Sequence, residues 1–365
     1  MNDKRQPVSD ARPEDTRGSG ERRGLRWLDS EVRTALLLFV ISVVLILASR
    51  GLGPGFGSAA QVKAILIISS FVMMVTFGQQ MVIIVGGLDL SIASMVTLGG
   101  VLAFNWIGSS GVAVIWGVPA ILAVTGAIGA CSGIGVAMLG IPPFIMTLAM
   151  GIILYGATLG FTQGTPTGSS SPFLSALFTP TGFGAPILYL MVIGTAAGWF
   201  FQVRTTFGRK LYALGTNPTA ARVAALPVRR LLIMTYAISG ASAGMAGILL
   251  DGYVNGVTLM MGLSYQLPSV AAAVIGGTAI VGGSGIYLGA VAGAILLTTL
   301  STIVSSLGIA EGWRTIIYGV VIFLALFLLR NDLKVLLGSR GRRATKQTTL
   351  RQTPEQRPDK QAFGG

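Results

Sequence analysis

The residues best suited to chemistry lie in one short stretch, Gly86-Gly87-Leu88-Asp89-Leu90-Ser91. Asp89 is flanked by apolar residues on both sides, and an ionisable side chain in such a run is costly and usually functional. The two glycines can interrupt a helix. Two compatible interpretations follow. Gly86, Gly87, Asp89 and Ser91 belong to a broken helix that lines or gates a solute path, or Asp89 caps the helix that begins near Ser91.

Two amides, Gln79 and Gln80, lie just before this stretch. A polyol needs amide and hydroxyl partners, and aromatic faces for its apolar side. We therefore assign Gln79 and Gln80 to the same pathway or gate. Trp106, Trp116 and Tyr155 are aromatic candidates, although a belt of aromatic residues at the membrane surface accounts for them more simply.

Several kinds of catalysis lack their residues here. The sequence has no histidine, one cysteine (Cys131) and no Gly-Lys-Ser/Thr of a phosphate-binding loop, which excludes Ser-His dyads, an internal disulfide and ATP hydrolysis by this chain. Between Thr34 and Arg330 the acidic residues are Asp89, Asp251 and Glu311. We predict that the chain is not an enzyme and binds no metal or cofactor itself.

The composition indicates the fold class. Of 365 residues, 52% are hydrophobic and 11% charged, with a mean hydropathy of +0.74 and 51 glycines. A soluble domain carries about 25% charged residues. Long unbroken apolar runs also exclude a transmembrane β-barrel, whose strands alternate. We predict an all-α, polytopic membrane bundle in which glycines let helices approach closely.

The basic residues indicate the topology. Of 26 Lys and Arg, eight lie in residues 1–33, six in 204–230 and nine in 330–360. Positive charge concentrates in cytoplasmic segments, so we place both termini and the central loop in the cytoplasm. Nucleic-acid binding is not expected from this distribution. We predict disordered basic tails over 1–33 and 331–365, and a transmembrane domain over 34–330.

Ten spans satisfy this topology, with one or two of them broken or re-entrant. Spans of about 20 residues match the hydrocarbon core of a bilayer. The predicted spans are 34–50, 62–80, 91–107, 113–139, 143–162, 186–203, 231–250, 267–284, 286–307 and 313–330. Asp251 and Glu311 then fall in short outward loops, where we expect them to be solvated or to contact an external partner.

Glycine spacing and an internal similarity suggest how the spans pack. Residues Val85–Gly100 resemble residues Ile275–Ala290, since both begin with a hydrophobic residue and Gly-Gly and both approach their end with Leu-Gly. We predict a parallel internal repeat, as transporters often contain; similar glycine-rich composition is the alternative. Four GxxxG pairs favour close helix packing, namely Gly129/Gly133, Gly156/Gly160, Gly240/Gly244 and Gly289/Gly293.

The central loop 204–230 contains a predicted short helix. Asn217 or Thr219 can cap it, and Pro218 suits its first turn. Residues 220–226 favour helix, and Pro227 is expected to end it. Such a helix outside the membrane would suit contact with a motor subunit, whereas an ordinary basic loop explains the same charges.

Five blocks of the sequence give it a family likeness. It resembles the permease subunits of bacterial monosaccharide ABC importers of the ribose, xylose and arabinose type. The similarity covers about residues 60–330, with its blocks in the family's order. They are GGLDLSIAS (86–94), IPPFIMTLAMGIILYG (141–156), FGRKLYALGTNPTAARVAALPVRR (207–230), YAISGASAGMAGILL (236–250) and AAVIGGTAIVGGSGIYLGAVAGAIL (272–296).

The resemblance implies partners that composition does not show. Such permeases act as dimers, here a second copy or a paralogous permease, in the bacterial inner membrane. They work with a cytoplasmic ATP-binding subunit, which carries the ATP and Mg²⁺, and with a periplasmic sugar-binding protein. The segment 208–227 would be the coupling element that contacts the ATPase. The residues matching that motif are Gly208, Gly215, Asn217, Ala220, Ala221 and Arg222, with Pro227 closing the element.

The sequence departs from the family pattern at two places. Family members often have glycine where this chain has Ala225 or Leu226, which leaves the local loop geometry open. They also commonly have Gly-Met-Thr or similar residues where this chain has Gln79 and Gln80, a difference consistent with another solute.

Three other functions remain as alternatives. A related importer permease for branched-chain amino acids or nucleosides would share the topology. An ion-coupled secondary transporter would work without an ATPase and normally needs several buried carboxylates, whereas Asp89 is the one candidate that the sequence offers. A membrane-embedded enzyme is the third alternative, and it is disfavoured by the missing histidine.

Overall fold

The fold consists of helices joined mostly by short loops. The computed structural model describes residues 17–181, 184–310, 312–313, 315–317, 319–320 and 323, with side chains from residue 32 onward. The chain divides into two units, Met1–Tyr318 and Gly319–Gly365, and the helices below belong to the first. They are α1 (Arg17–Ser49), α2 (Ala59–Ile84), α3 (Ile92–Leu102), α4 (Gly111–Ala137), α5 (Pro143–Thr162), α6 (Pro172–Ala176), α7 (Pro186–Arg204), α8 (Thr206–Thr216), α9 (Pro218–Val223), α10 (Val228–Val254), α11 (Leu263–Ile275) and α12 (Tyr287–Ser306).

The predicted polytopic membrane bundle is confirmed. Seven helices of the described chain are long and apolar enough to cross a membrane: α1, α2, α4, α5, α7, α10 and α12. Each coincides with a predicted span. Two further apolar helices are shorter, α11 and the continuous helical segment Ile92–Ile107, in which α3 is extended by a π-helical turn. The predicted tenth span, 313–330, lies mostly outside the described residues.

One predicted span is wrong over half its length. Residues 267–284 do not form a single helix, because α11 ends at Ile275 and residues 276–286 are not helical. Gly277, Gly282 and Gly283 adopt positive φ angles of 94°, 97° and 82°. Glycine adopts such angles without steric cost, and they end a helix. We call residues 276–286 the glycine loop.

The two segments of the predicted repeat fold alike. In each, a helix ends, a loop beginning with two glycines follows, and a second helix begins: α2 to α3 in the first case and α11 to α12 in the second. The loops also contact each other, since Gly283 N donates to Ile84 O at 2.9 Å. Both first helices therefore end on the same side of the molecule, as a parallel repeat requires.

Three of the four GxxxG pairs pack helix against helix. A Cβ at Gly129 or Gly133 of α4 would overlap the backbone of α10, while one at Gly240 or Gly244 of α10 would overlap Thr125 of α4. In α12, Gly293 packs in the same way on Ala272 of α11, and Gly289 packs on Gly276, the first residue of the glycine loop. The pair in α5, Gly156/Gly160, has no other atom within 4 Å of the added Cβ positions. Small residues thus bring α4 and α10 into direct backbone contact.

Two expectations about charged segments differ from the structure. Residues 17–33 are helical rather than disordered, because their Glu, Arg and Leu content favours helix and they contain no proline. Asp251 is not solvated: it belongs to α10, is fully buried, and its Oδ1 accepts the Ser170 hydroxyl at 2.6 Å. The segment between α5 and α6, which contains Ser170, packs on this carboxylate. Glu311, residues 1–16 and the tail 331–365 lie outside the described residues.

Candidate functional site

Asp89 lies in the loop between α2 and α3, with only 1% of its surface exposed. Its Oδ1 accepts the backbone N–H of Ser91 at 3.0 Å and the Ser91 hydroxyl at 2.5 Å. Its Oδ2 accepts the hydroxyl of Ser239, in α10, at 2.7 Å. The N-cap of α3 is Ser91, so the carboxylate stabilises the helix start from two residues upstream. It also joins this start to a second helix.

The loop around Asp89 is fastened to two further helices. The Thr147 hydroxyl of α5 donates to Leu88 O at 3.1 Å and accepts the N–H of Leu90 at 3.0 Å. Gln266 of α11 donates its side-chain amide to Leu90 O at 3.1 Å. Unpaired backbone groups are costly in an apolar interior. These side chains supply partners for the backbone of a non-helical loop that is buried in the bundle.

A groove of about 220 Å³ borders this loop. One wall is a face of α5 with residues at helical spacing, and the other comes from α3 and from the segment entering α11. Its polar lining consists of hydroxyl and amide groups, with one aromatic ring: Ser94, Thr97, Tyr155, Thr158 and Gln266. The Thr158 hydroxyl is buried and has no hydrogen-bond partner within the described part of the chain. A groove with these groups suits a polyhydroxylated solute.

The amides of Gln79 and Gln80 lie away from the groove lining. Both residues are fully buried in α2. Gln80 Nε2 donates to the Thr278 hydroxyl of the glycine loop at 2.8 Å, whereas neither polar atom of Gln79 has a partner among the described residues. Gln80 therefore connects the two halves of the repeat. The structure does not bring it into the Asp89 hydrogen-bond network.

A second cavity, of about 420 Å³, lies between α2, α11 and α12. Its hydroxyls follow one face of α12, at Thr298, Ser301, Thr302 and Ser305. This cavity does not include residues of the loop between α2 and α3. It is the alternative place for a solute.

The segment 204–230 forms two helices. The predicted short helix is α9: Pro218 is in its first turn, and the Asn217 side chain accepts the N–H of Ala220 at 2.9 Å. It ends at Val223, earlier than predicted, because Ala225 takes a left-handed conformation with φ 54°. Pro227 instead precedes α10 as its N-cap residue. The sequence reasoning did not predict α8.

The other motif residues divide into packed and exposed positions. A Cβ at Gly208 would overlap Gln202 O, and one at Gly215 would overlap Ile84 O. Ala221 is buried on the inner face of α9, while Ala220 and Arg222 are exposed on the same helix. The packed residues seat α8 and α9 on the bundle, and the exposed ones form a surface open to contact.

Helix α8 is bonded to both loops of the repeat. The Tyr212 hydroxyl donates to Gly285 O at 2.5 Å. Gly215 packs on Ile84 O, which also accepts the N–H of Gly283. Ile84 is the last residue of α2, just before the Asp89 loop. A displacement of α8 would therefore act directly on the end of α2 and on the glycine loop.

Comparison with known proteins identifies the family. Residues 61–326 match the family described as branched-chain amino acid transport system / permease component. The chain belongs to this permease family. The chain is 32% identical to a ribose import permease protein of Escherichia coli, over 83% of this chain and 94% of that one. It is 30% identical to a galactose/methyl galactoside import permease protein of the same organism, over 80% and 92%.

A third relative is named as an ABC transporter component. The permease is 30% identical to an inner membrane ABC transporter permease protein of Escherichia coli, over 76% of this chain and 86% of that one. No solved structure matches the chain. The expected family is thus confirmed, whereas the roles assigned to individual residues stay predictions.

Sequence reasoning missed the groups that surround Asp89. Thr147, Ser239 and Gln266 come from three other helices, and a single polar residue in an apolar span does not disclose its partner. Thr158 and Ser94 were likewise overlooked. Their spacing on the faces of α5 and α3 was available as a signal, but hydroxyls often bond their own helix backbone.

Proposed function

We propose that this permease is the membrane-spanning subunit of an ATP-driven importer for a monosaccharide or related polyol. The observation that carries the proposal is the groove beside the Asp89 loop, whose mainly apolar lining includes hydroxyls, an amide and a tyrosine ring, as a site for the polar and apolar faces of a sugar needs. The names of the ribose and galactose relatives support the same solute class. Gly86, Gly87, Asp89 and Ser91 would form the gate beside this path.

The partners follow from the family. A cytoplasmic ATP-binding subunit would carry ATP and Mg²⁺ and contact α9, with Ala220 and Arg222 at the surface. A periplasmic sugar-binding protein would deliver the solute. A second copy of the permease, or a paralogue, would complete the translocation unit in the bacterial inner membrane.

The packing supports a mechanical role for α8. A partner that moves α9 would move α8, and α8 contacts Ile84 and the glycine loop directly. Ile84 precedes the Asp89 loop, so the displacement would reach the gate through one bonded segment. Binding of ATP to the partner would thereby shift the bundle between outward-open and inward-open states. Gln79 and Gln80, in α2, would belong to the same route, since Gln80 donates its side-chain amide to the Thr278 hydroxyl of the glycine loop.

The family description also supports an alternative, a permease for branched-chain amino acids. The side chains of leucine, isoleucine and valine are apolar, and they would leave the buried Thr158 hydroxyl, which has no partner among the described residues, unpaired. We therefore prefer the sugar.

The test is purification of the tagged permease from its native cells in mild detergent. We expect an ATP-binding subunit to co-purify in fixed stoichiometry. Reconstituted with the co-purified partners, the permease should take up labelled ribose or galactose, and not leucine, when ATP is present. Uptake of leucine would favour the alternative. Solute movement by the chain alone, without ATP, would contradict the importer.

A further inference from the structure

Two valines are the most exposed large apolar side chains in the described part of the chain. Val281 has 91% of its surface exposed and Val223 has 84%. Neither belongs to a membrane-spanning helix: Val223 ends α9, and Val281 lies in the glycine loop. Lipid therefore does not explain them in the way that it explains exposed residues along the spans. An isolated exposed valine needs no explanation, but these two lie on segments that meet at the end of α8, a place that we call the corner.

The glycine loop is continuous with the surface of α9. The Thr216 hydroxyl, at the end of α8, donates to Tyr212 O at 2.8 Å and lies 3.5 Å from Gly283 O, and Gly215 packs against Gly283 N. The next residue, Asn217, caps α9. The loop and α9 thus meet where α8 ends, with Val281 two residues before Gly283.

The backbone around Val281 is fixed on both sides. Gly282 and Gly283 have positive φ angles, the Gly283 N–H is bonded to Ile84 O, and Gly285 O accepts the Tyr212 hydroxyl. Gly282 N also donates to Ala279 O at 2.9 Å. Such a turn presents the side chain of Val281 in one direction, as a recognition element does, with little ordering left to be done on binding.

The charges beside this corner indicate the partner. Exposed basic residues surround it in the sequence of α8 to α10, namely Arg209, Lys210, Arg222, Arg229 and Arg230. The acidic side chains described between residues 32 and 310, Asp89 and Asp251, are both buried. A fitting partner presents acidic groups around an apolar pocket. This partner would bind on the side of the bundle that carries α9.

We propose that Val281 and its loop form a second contact surface for the ATP-binding subunit, beside α9. This inference rests on the proposed function. The partner would then hold α9 and the α11–α12 connection together. Its movement would reach the glycine loop directly, and the end of α2 both through the Gly283 N–H on Ile84 O and through α8.

The test is photo-crosslinking in the intact complex. A photoreactive amino acid, p-benzoylphenylalanine, replaces Val281, and matched variants carry it at Val223 and at Met260, which is 59% exposed in the connection at the opposite end of α10. We expect crosslinks to the ATP-binding subunit from positions 281 and 223, and none from position 260. The substitution at an exposed position leaves the fold intact, which size-exclusion chromatography checks.

The outcomes separate this inference from the proposed function. Crosslinking from 223 but not from 281, or crosslinking from 281 to phospholipid only, would overturn the second surface and leave the importer standing. No crosslink from either valine, together with no co-purifying ATP-binding subunit, would overturn both. As a second readout, Val281→Asp should lower recovery of the ATP-binding subunit at least tenfold, whereas Met260→Asp should not change it.

Discussion

The Ser239 hydroxyl donates to Asp89 Oδ2 at 2.7 Å, joining residues 150 positions apart in the chain. The other carboxylate oxygen receives two hydrogen bonds from Ser91. Asp89 therefore connects the start of α3 to the middle of α10. A helix cap alone would need only the Ser91 N–H, so the bond to α10 gives the carboxylate a role between helices.

Two substitutions of Asp89, to Asn and to Ala, are predicted to distinguish its contribution to folding from its contribution to transport. Asn keeps an oxygen for the Ser91 N–H and an amide toward Ser239, so Asp89→Asn should insert and purify like the wild type. Asp89→Ala leaves three buried donors unpaired, each costing about 1–3 kcal/mol, and should lower the unfolding temperature clearly. If Asp89 is part of the gate, both variants lose sugar uptake in reconstituted vesicles.

The control for this pair lies on α10. Ser242 donates its hydroxyl to Ile238 O within its own helix. Ser242→Ala should therefore behave like the wild type, while Ser239→Ala should lower both stability and uptake. Full uptake by Asp89→Asn would assign the carboxylate a purely structural role.

Gly215→Ala is predicted to disturb the contact between α8 and α2. The added Cβ would overlap Ile84 O, and a backbone atom cannot move aside as a flexible side chain can. The variant should lose uptake and lower the unfolding temperature of the purified permease. Gly194→Ala is the control, because its Cβ would have no other atom within 4 Å, and alanine favours helix by about 1 kcal/mol. Equal behaviour of the two variants would contradict the proposed route through α8.

The sequence predicted the elements better than their contacts. Eight of the ten predicted spans appear as described apolar helices, and a ninth does so over its first half, because a span needs a long hydrophobic run, which composition discloses directly. The cap at Asn217 was also predictable, since it depends on residues three apart. The bond from Thr147 to Leu88 and Leu90 was not, because the partner lies 57 or 59 residues away. The break at Ile275 was missed because residues 276–286 contain no charged side chain, and glycines occur in most spans of this chain as well as in its loops.

Ala225 occupies a backbone position that favours glycine, so replacing it with glycine is predicted to stabilise the permease. Its φ is 54°, and α9 ends there with the Leu226 N–H bonded to Ala221 O and the Ala225 N–H bonded to Arg222 O. A left-handed conformation costs a non-glycine residue about 1–2 kcal/mol. Ala225→Gly should therefore raise the stability of the permease by about 1 kcal/mol, measured by thermal unfolding in detergent. The neighbouring Ala224 has φ −75°, so Ala224→Gly should lower stability instead, and the reverse order would contradict the argument.

Arg222→Glu is predicted to uncouple transport without affecting the fold. Arg222 is exposed on α9, where it contributes to the basic surface that the ATP-binding subunit would contact. Reversing its charge should weaken that contact by electrostatic repulsion. We expect normal insertion, reduced recovery of the partner and little ATP-dependent uptake. Arg222→Lys, which keeps the charge, is the control; normal uptake by Arg222→Glu would contradict the coupling role of α9.

Thr158→Val is predicted to stabilise the permease while impairing uptake. The Thr158 hydroxyl is buried without a partner in the described chain. Its removal should therefore raise the free energy of unfolding, because burying an unpaired hydroxyl costs about 1–3 kcal/mol. Valine keeps the shape of threonine. If the hydroxyl bonds the solute in the groove, the variant should need a higher sugar concentration for half-maximal uptake.

Thr162→Val, one turn further along α5, is the control. It removes a hydroxyl that bonds Thr158 O and should leave the sugar concentration for half-maximal uptake unchanged. A Thr158→Val variant with unchanged uptake, together with impaired uptake by Ser301→Ala, would instead move the solute path to the cavity beside α12.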